Sequence, residues 1–287
     1  MKKNVIKNHV KSLKIIKTLT SAGIAHTLEL TTNTTIVSTT LPNGKVHKYI
    51  VSDSEISPQA LGFIGKVKRD VNRRAKEKIP YRPPSYFQFL TKRQGIFTDV
   101  VEVDVNSAYW KIAYLKGYIS PEIYQAGLTV DKMTRLISLG SIATVKSKYY
   151  FDGTSGDYQH TGDVVNEITR SYFFDVAHEL GFLMGKCLQE IGKEHCFFYW
   201  VDAFFVTTQA AEQIKAFFLK NDLEVKTKEV VKMGVKRTGE GWQVMVREKK
   251  EDGKTKDKPF FFPFGDGRKA LIARTRRDIK KGNTRTD

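Results

Sequence analysis

Phe197-Phe198-Tyr199-Trp200-Val201-Asp202-Ala203-Phe204-Phe205-Val206 holds one acid among apolar residues. Burying a lone carboxylate without a partner is costly. A tight β-turn around Asp202 removes the conflict: the strands on both sides stay buried and the acid lies at the tip. An ordinary loop acid between two core strands satisfies the same pattern. The stretch alone therefore fixes a hairpin, not a chemistry.

Val100-Val101-Glu102-Val103-Asp104 has the same character, a short apolar run that ends at an acid. Such β-branched runs form buried strands. Asn106, Ser107, Ala108 and Tyr109 then make a strand-to-helix turn that exposes backbone N–H groups. Asp104 either caps that helix or sits at a sheet edge within reach of a metal ion or phosphate.

The 287 residues allow one large domain or two small ones with a sizeable core. No apolar run approaches the roughly 20 residues needed to span a membrane. The Lys-rich start is amphipathic and unlike a signal peptide. Cys187 and Cys196 are the only cysteines, which argues against a disulfide framework or a Cys-based zinc site. The expectation is a cytoplasmic protein. Its net charge of +17 points to a polyanionic partner, nucleic acid first.

Residues 1–22 fit an amphipathic helix. Thr-rich β-branched segments flank Leu41-Pro42-Asn43-Gly44-Lys45, and Asn-Gly predicts a hairpin of strands at about 27–40 and 45–51. Ser57-Pro58 opens a helix to about Lys78. Residues 66–93 carry ten basic residues against two acids. Lys66, Lys68, Arg69, Arg73, Arg74 and Lys76 are the candidate phosphate contacts, and a solvated helix face is the plain alternative. Pro80, Pro83 and Pro84 mark a linker. Helices follow at 111–118, 129–144, 164–191 and 209–220, strands at 222–235 and 240–247, then a charged flexible segment at 248–258. The tail, 268–287, has eight basic residues against Asp278 and Asp287.

Asp104-Val105-Asn106-Ser107-Ala108-Tyr109 resembles the first catalytic motif of family B DNA polymerases, D-x-x-S-L-Y, closest to the protein-primed phage branch. Lys132 to Gly140 resembles the fingers motif K-x-x-x-N-S-x-Y-G, with Lys and Gly at the family's separation. The helix bearing Thr169-Arg170 resembles the segment before the third motif, and Phe198-Tyr199-Trp200-Val201-Asp202 stands in the place of Y-x-D-T-D. Leu136 replaces the fingers Asn and Leu139 its Tyr. Trp200 and Val201 replace the first Asp and the Thr of the third motif. Glu240-Gly241-Trp242 matches the primer-contact pattern poorly. The resemblance covers roughly 95–235, about half the chain, and leaves no room for a separate exonuclease.

The resemblance implies an α+β fold: a palm-like antiparallel sheet packed on helices with a small helical fingers insertion at about 111–145. The implied regions are a basic nucleic-acid-binding stretch at 1–95, a palm core at 96–247 and a basic tail at 248–287. It implies template-directed nucleotidyl transfer on DNA template-primer and deoxynucleoside triphosphates, with a replication partner protein. Asp104, Asp202 and the Val105 carbonyl would hold Mg²⁺ or Mn²⁺. Ser107 and Ala108 N–H groups would hold phosphate oxygens, Lys132 the triphosphate, and Tyr109 would lie under the sugar. Gly140 closes the fingers motif. Arg170 would either contact the triphosphate or brace the sheet. Two other readings stay open: a palm-like nucleic-acid-binding protein without catalysis, and an RNase H-like metal nuclease. The nuclease needs another acid in reach. Strand alternation sets Glu102 aside, and Glu194 and His195 precede the strand instead of lying at its tip.

Overall fold

The computed structural model describes residues 10–31, 34–52, 56–82, 88–155, 157–249 and 252–264. The expectations for residues 1–9, for Pro83 and Pro84 and for the tail 268–287 lie outside them. After a 3-10 turn, α1 spans Leu13–Ser21. Strands β1 (His26–Leu30), β2 (Thr34–Thr40) and β3 (Val46–Ser52) precede α2 (Pro58–Arg74). Short strands β4 (Gln88–Leu90) and β5 (Gly95–Phe97) lead to β6 (Val100–Val105). Helices α3 (Ala108–Leu115), α4 (Pro121–Leu128) and α5 (Lys132–Ile142) follow, then β7 (Lys146–Phe151), β8 (Gln159–Val164) and the long α6 (Glu167–Ile191). The chain continues through β9 (Cys196–Trp200), β10 (Ala203–Val206), α7 (Thr208–Lys220), β11 (Val225–Arg237), β12 (Gly241–Lys249) and β13 (Thr255–Pro263). The class is α+β with antiparallel sheets.

Two compact units interleave along the chain, Met1–Pro83 with Tyr109–His178, and Pro84–Ala108 with Glu179–Asp287. This grouping cuts across the three consecutive regions read from the sequence.

The first unit carries a five-stranded sheet in the order β3-β2-β1-β7-β8. Alternation along β1 sends His26, Leu28 and Leu30 inward, and Leu28 and Leu30 pack with Val37 of β2 against Ile16 and Leu19 of α1. The 27–40 run, read as one strand, is two strands: Thr31 N–H donates to Thr34 O (2.9 Å) and turns the chain. The Asn43-Gly44 hairpin is present, with Gly44 at φ 76°. Helix α2 starts as its sequence dictates, the Ser57 hydroxyl accepting from Ala60 N–H (3.2 Å) and Pro58 filling the first turn. Its apolar stripe of Phe63, Ile64, Val67 and Val71 is buried, and so is Asp70. Asp70 accepts Ser120 N–H (2.7 Å) and pairs with Arg73 (2.7 Å) and Arg74 (3.3 Å). A buried acid with three donors ties α2 to the start of α4.

In the second unit the sheet runs β13-β12-β11-β6-β10-β9-β4, with β5 on the far end of β11. Strands β6, β9, β10 and β11 and helices α6 and α7 follow the β-α-β-β-α-β plan, the first strand lying between the third and the fourth. One face buries Val103, Val105, Phe204 and Val206, with Phe218 of α7 against Phe204 (6.3 Å). The other face carries Phe198 and Phe205, stacked at 4.1 Å. Strands β9 and β13 are five places apart, which a flat sheet would make about 24 Å. Yet Phe198 lies 5.0 Å from Phe260, and Trp200 5.3 Å from Phe262. The sheet therefore curls until β13 closes over this face.

Phe198 is fully buried at the centre of that closure. Phe198→Ala is expected to lower the unfolding free energy by about 3–5 kcal/mol, measured by urea titration. A loss under about 1 kcal/mol, the scale of a surface change, would mean that the rings do not hold β13 down.

Candidate functional site

Asp104 and Asp202 stand at the ends of neighbouring strands in one unit. Ala203 pairs with Asp104 in the β10–β6 register, and Val105 N–H donates to Asp202 O (2.8 Å). Trp200 pairs with Ala203, so Val201-Asp202 is a two-residue hairpin turn. The turn at Asp202 is where the apolar run required it. Val201 has φ 58°, a left-handed conformation that a β-branched residue adopts only when its surroundings impose it. Both acids are half-buried.

The turn after β6 is also a constrained one. Asn106 N–H donates to Glu224 O (2.8 Å), Ser107 takes φ 51°, and Ala108 opens α3. A left-handed residue ahead of a helix start is backbone from which anion cradles are made. Val105, Ser107 and Ala108 thus join the two acids at one edge of the sheet.

The remaining candidates belong to the other unit. Tyr109 stacks on Phe173 (6.4 Å, 18°). Arg170 lies 5.4 Å over the Phe174 ring and 3.4 Å from Glu167, so it braces its own helix. Lys132 is exposed at the first position of α5, behind the Asp131 cap, so the helix read from 129 starts three residues later and Lys132 stays in its first turn. Gly140 lies two turns on. Leu139 is buried and Leu136 exposed. Lys66, Arg69 and Arg73 of α2 form an exposed stripe, continued by Lys76. Lys68 is half-buried, and burial, then the charge of Lys146, lowers its pKa. Arg74 is half-buried against Asp70.

Sequence reasoning missed a buried charge cluster. It set Glu102 aside by alternation, but residues two apart share a face, and Glu102 lies on the Asp104 side of β6. Glu102 is buried, with Lys228 Nζ at 2.8 Å and Lys258 Nζ at 3.3 Å. Lys258 also pairs with buried Glu248. Burial works to raise the Glu102 pKa, but hydrogen bonds from Glu248 and Lys228 and the two lysine charges hold it below the ordinary value. Burial and the neighbouring Glu102 push Glu248 up. Glu248 therefore takes up a proton before Glu102 as the pH falls. The signal was available as Glu102 and Lys228 at inward positions of β-type segments.

Asp104, Asp202 and a strand-end carbonyl offer the hard oxygen donors that Mg²⁺ takes, with water completing its shell. Among the described residues, no three His, Cys, Asp or Glu side chains gather into a metal-holding group. Any ion there rests on the carboxylate pair, with Glu102 committed to its lysines. No helix among the described residues is long and apolar enough to cross a membrane. Comparison of the chain with protein-family models gave no match, and comparison with curated proteins gave none either.

The cluster predicts opposite behaviour for its two acids. The contribution of Glu102, whose pKa is depressed, is present above the ordinary value of 4.5 and lost as pH falls through its folded value. That of Glu248, whose pKa is raised, is present below 4.5 and lost as pH rises through its folded value. Glu248→Gln, which keeps the hydrogen bond without the charge, is expected to raise the urea midpoint more at pH 8 than at pH 4. Glu102→Gln is expected to cost about 2–3 kcal/mol at neutral pH, less than a fully dry pair because water reaches both lysines. The reverse ranking of the two variants at pH 8 would refute the assignment.

Proposed function

We propose that the paired ends of β6 and β10 perform metal-dependent nucleotidyl transfer on nucleic acid. The observation that carries the reading is the seating of Asp104 and Asp202 on hydrogen-bonded neighbouring strands, at the tip of a forced turn. The β-α-β-β-α-β plan, with α7 on one face, supports a palm-like sheet. Asp104 and Asp202 would hold Mg²⁺ or Mn²⁺. Bound there, the ion would stabilise charge on the phosphoryl oxygens. The two carboxylates fix its position, and the Ser107–Ala108 turn receives phosphate oxygens. Positioning and electrostatics supply most of the catalysis in phosphoryl transfer, so few side chains suffice. Template-primer DNA and deoxynucleoside triphosphates are the substrates that the motif order favours.

One observation favours a second reading, a palm-like nucleic-acid-binding protein without catalysis. Strand β13 closes over the face that bears Asp104, with Phe260 against Phe205 at 5.5 Å.

Extension of a labelled primer–template with Mg²⁺ or Mn²⁺ separates the two. Wild type is expected to add nucleotides, and Asp202→Asn to lose roughly 100-fold or more in rate while keeping its nucleic-acid affinity. Equal product from both would assign it to a contaminant. No product, with nucleic acid still bound, would leave the binding protein. Changing Lys66, Arg69 and Lys76 together to Glu is expected to weaken duplex binding and to flatten the log–log salt slope by about 3 units, close to one per phosphate contact. An unchanged slope would remove α2 from the interface.

A further inference from the structure

We infer that the open face of the five-stranded sheet binds single-stranded nucleic acid, one base stacking on Tyr150 in a groove at its end. This site is separate from the carboxylate pair and holds whether or not that pair transfers nucleotides. The inward face of the sheet is covered by α1. The opposite face has Val46 58% and Ile50 70% exposed.

Register aligns this face into rows. Lys48 of β3 lies opposite Ser38 of β2, Ser38 opposite Thr27 of β1, and Thr27 opposite Tyr150 of β7. The row spans three strand spacings, about 14 Å. It puts a cation at one end, an aromatic ring at the other and hydroxyls between. The next row runs Ile50, Ile36, Glu29, Lys148.

A groove of about 370 Å³ opens on the first row. Thr27, Ser38, Thr40, Val46 and Tyr150 line it, and no carboxylate does. Its size is at the low end for ligand pockets and suits one flat, uncharged group such as a base. Hydroxyls can meet any base edge, and a ring face accepts every base, so sequence preference would be weak.

Charge selects the occupant. Among the described residues of β1, β2, β3 and β7, Glu29 is the only acid, and it already pairs with Lys146 and Lys148 (3.5 Å each). Lys48 is exposed on the same face, and Lys68 of α2 feels the charge of Lys146. Phosphates passing along the row would meet Lys48, with Lys148 in the row beside it. An apolar peptide would leave Lys48 unanswered. A duplex cannot present an unstacked base to the groove.

The test is fluorescence anisotropy of a fluorescein-labelled oligothymidylate with the full chain in EDTA, so that catalysis cannot enter. Wild type is expected to bind in a salt-sensitive way and to prefer this probe to duplex. Tyr150→Ala is expected to weaken it about tenfold, Tyr150→Phe to keep it, and Lys48→Glu to weaken it. Photo-cross-linking of a 5-iodouracil oligonucleotide to wild type should label the peptide bearing Tyr150, a readout that survives even if Tyr150→Ala fails to fold. No binding by wild type, binding by a folded Tyr150→Ala within twofold of wild type, or labelling confined to α2 would overturn the inference.

Discussion

A carboxylate taken out of water at Glu102 must be met by cations, and the two that meet it come from β11 and β13. Removing either partner from a buried pair costs more than the pair itself contributes. The curl of the sheet therefore has two supports. Aromatic rings of β9 and β10 meet those of β13, and Lys258 reaches back across the intervening strands to β6. The rings supply non-directional burial. The ion pairs add direction, because Lys258 reaches Glu102 in only one register of β13 on β12. Asp104, two residues along the same strand, inherits its position from this arrangement.

Much of this was legible in the residues. One acid within Phe197–Val206 forces a hairpin with Asp202 in its turn, and the turn is there. Asn43-Gly44 and Ser57-Pro58 gave a turn and a helix start by local chemistry alone. Strand β13 was not legible. Residues 248–258 are charged, and charge reads as solvated chain. Here Arg247 and Asp257 pair across the strands (2.7 Å) and Lys258 turns inward, so the charges are answered within the sheet. Helix α4 carried its own signature, a Ser120 cap before Pro121 at its start; its eight residues are too few for periodicity to announce it.

The candidate site divides in the same way. The acids at turns were found because burial cost singles them out. Glu102 was passed over through miscounted alternation, and its lysines lie 126 and 156 residues away in sequence. No local pattern reports such a partnership. The α2 stripe was read as six equivalent cations, yet buried Asp70 holds Arg73 and Arg74. Composition counts charges but not their commitments.

The position of β6 in the chain has a consequence for synthesis. Its central place in the sheet depends on β10 and β11, which leave the ribosome after a further stretch of about 100 residues. At about 5–20 residues per second, β6 waits roughly 5 to 20 seconds with both edges unpaired. A short Val-rich strand in that state is a template for any other extended chain. Glu102 and Asp104 place a charge at every second position on one side of it. Before they serve the folded sheet, the same two acids guard the nascent strand against pairing with the wrong partner.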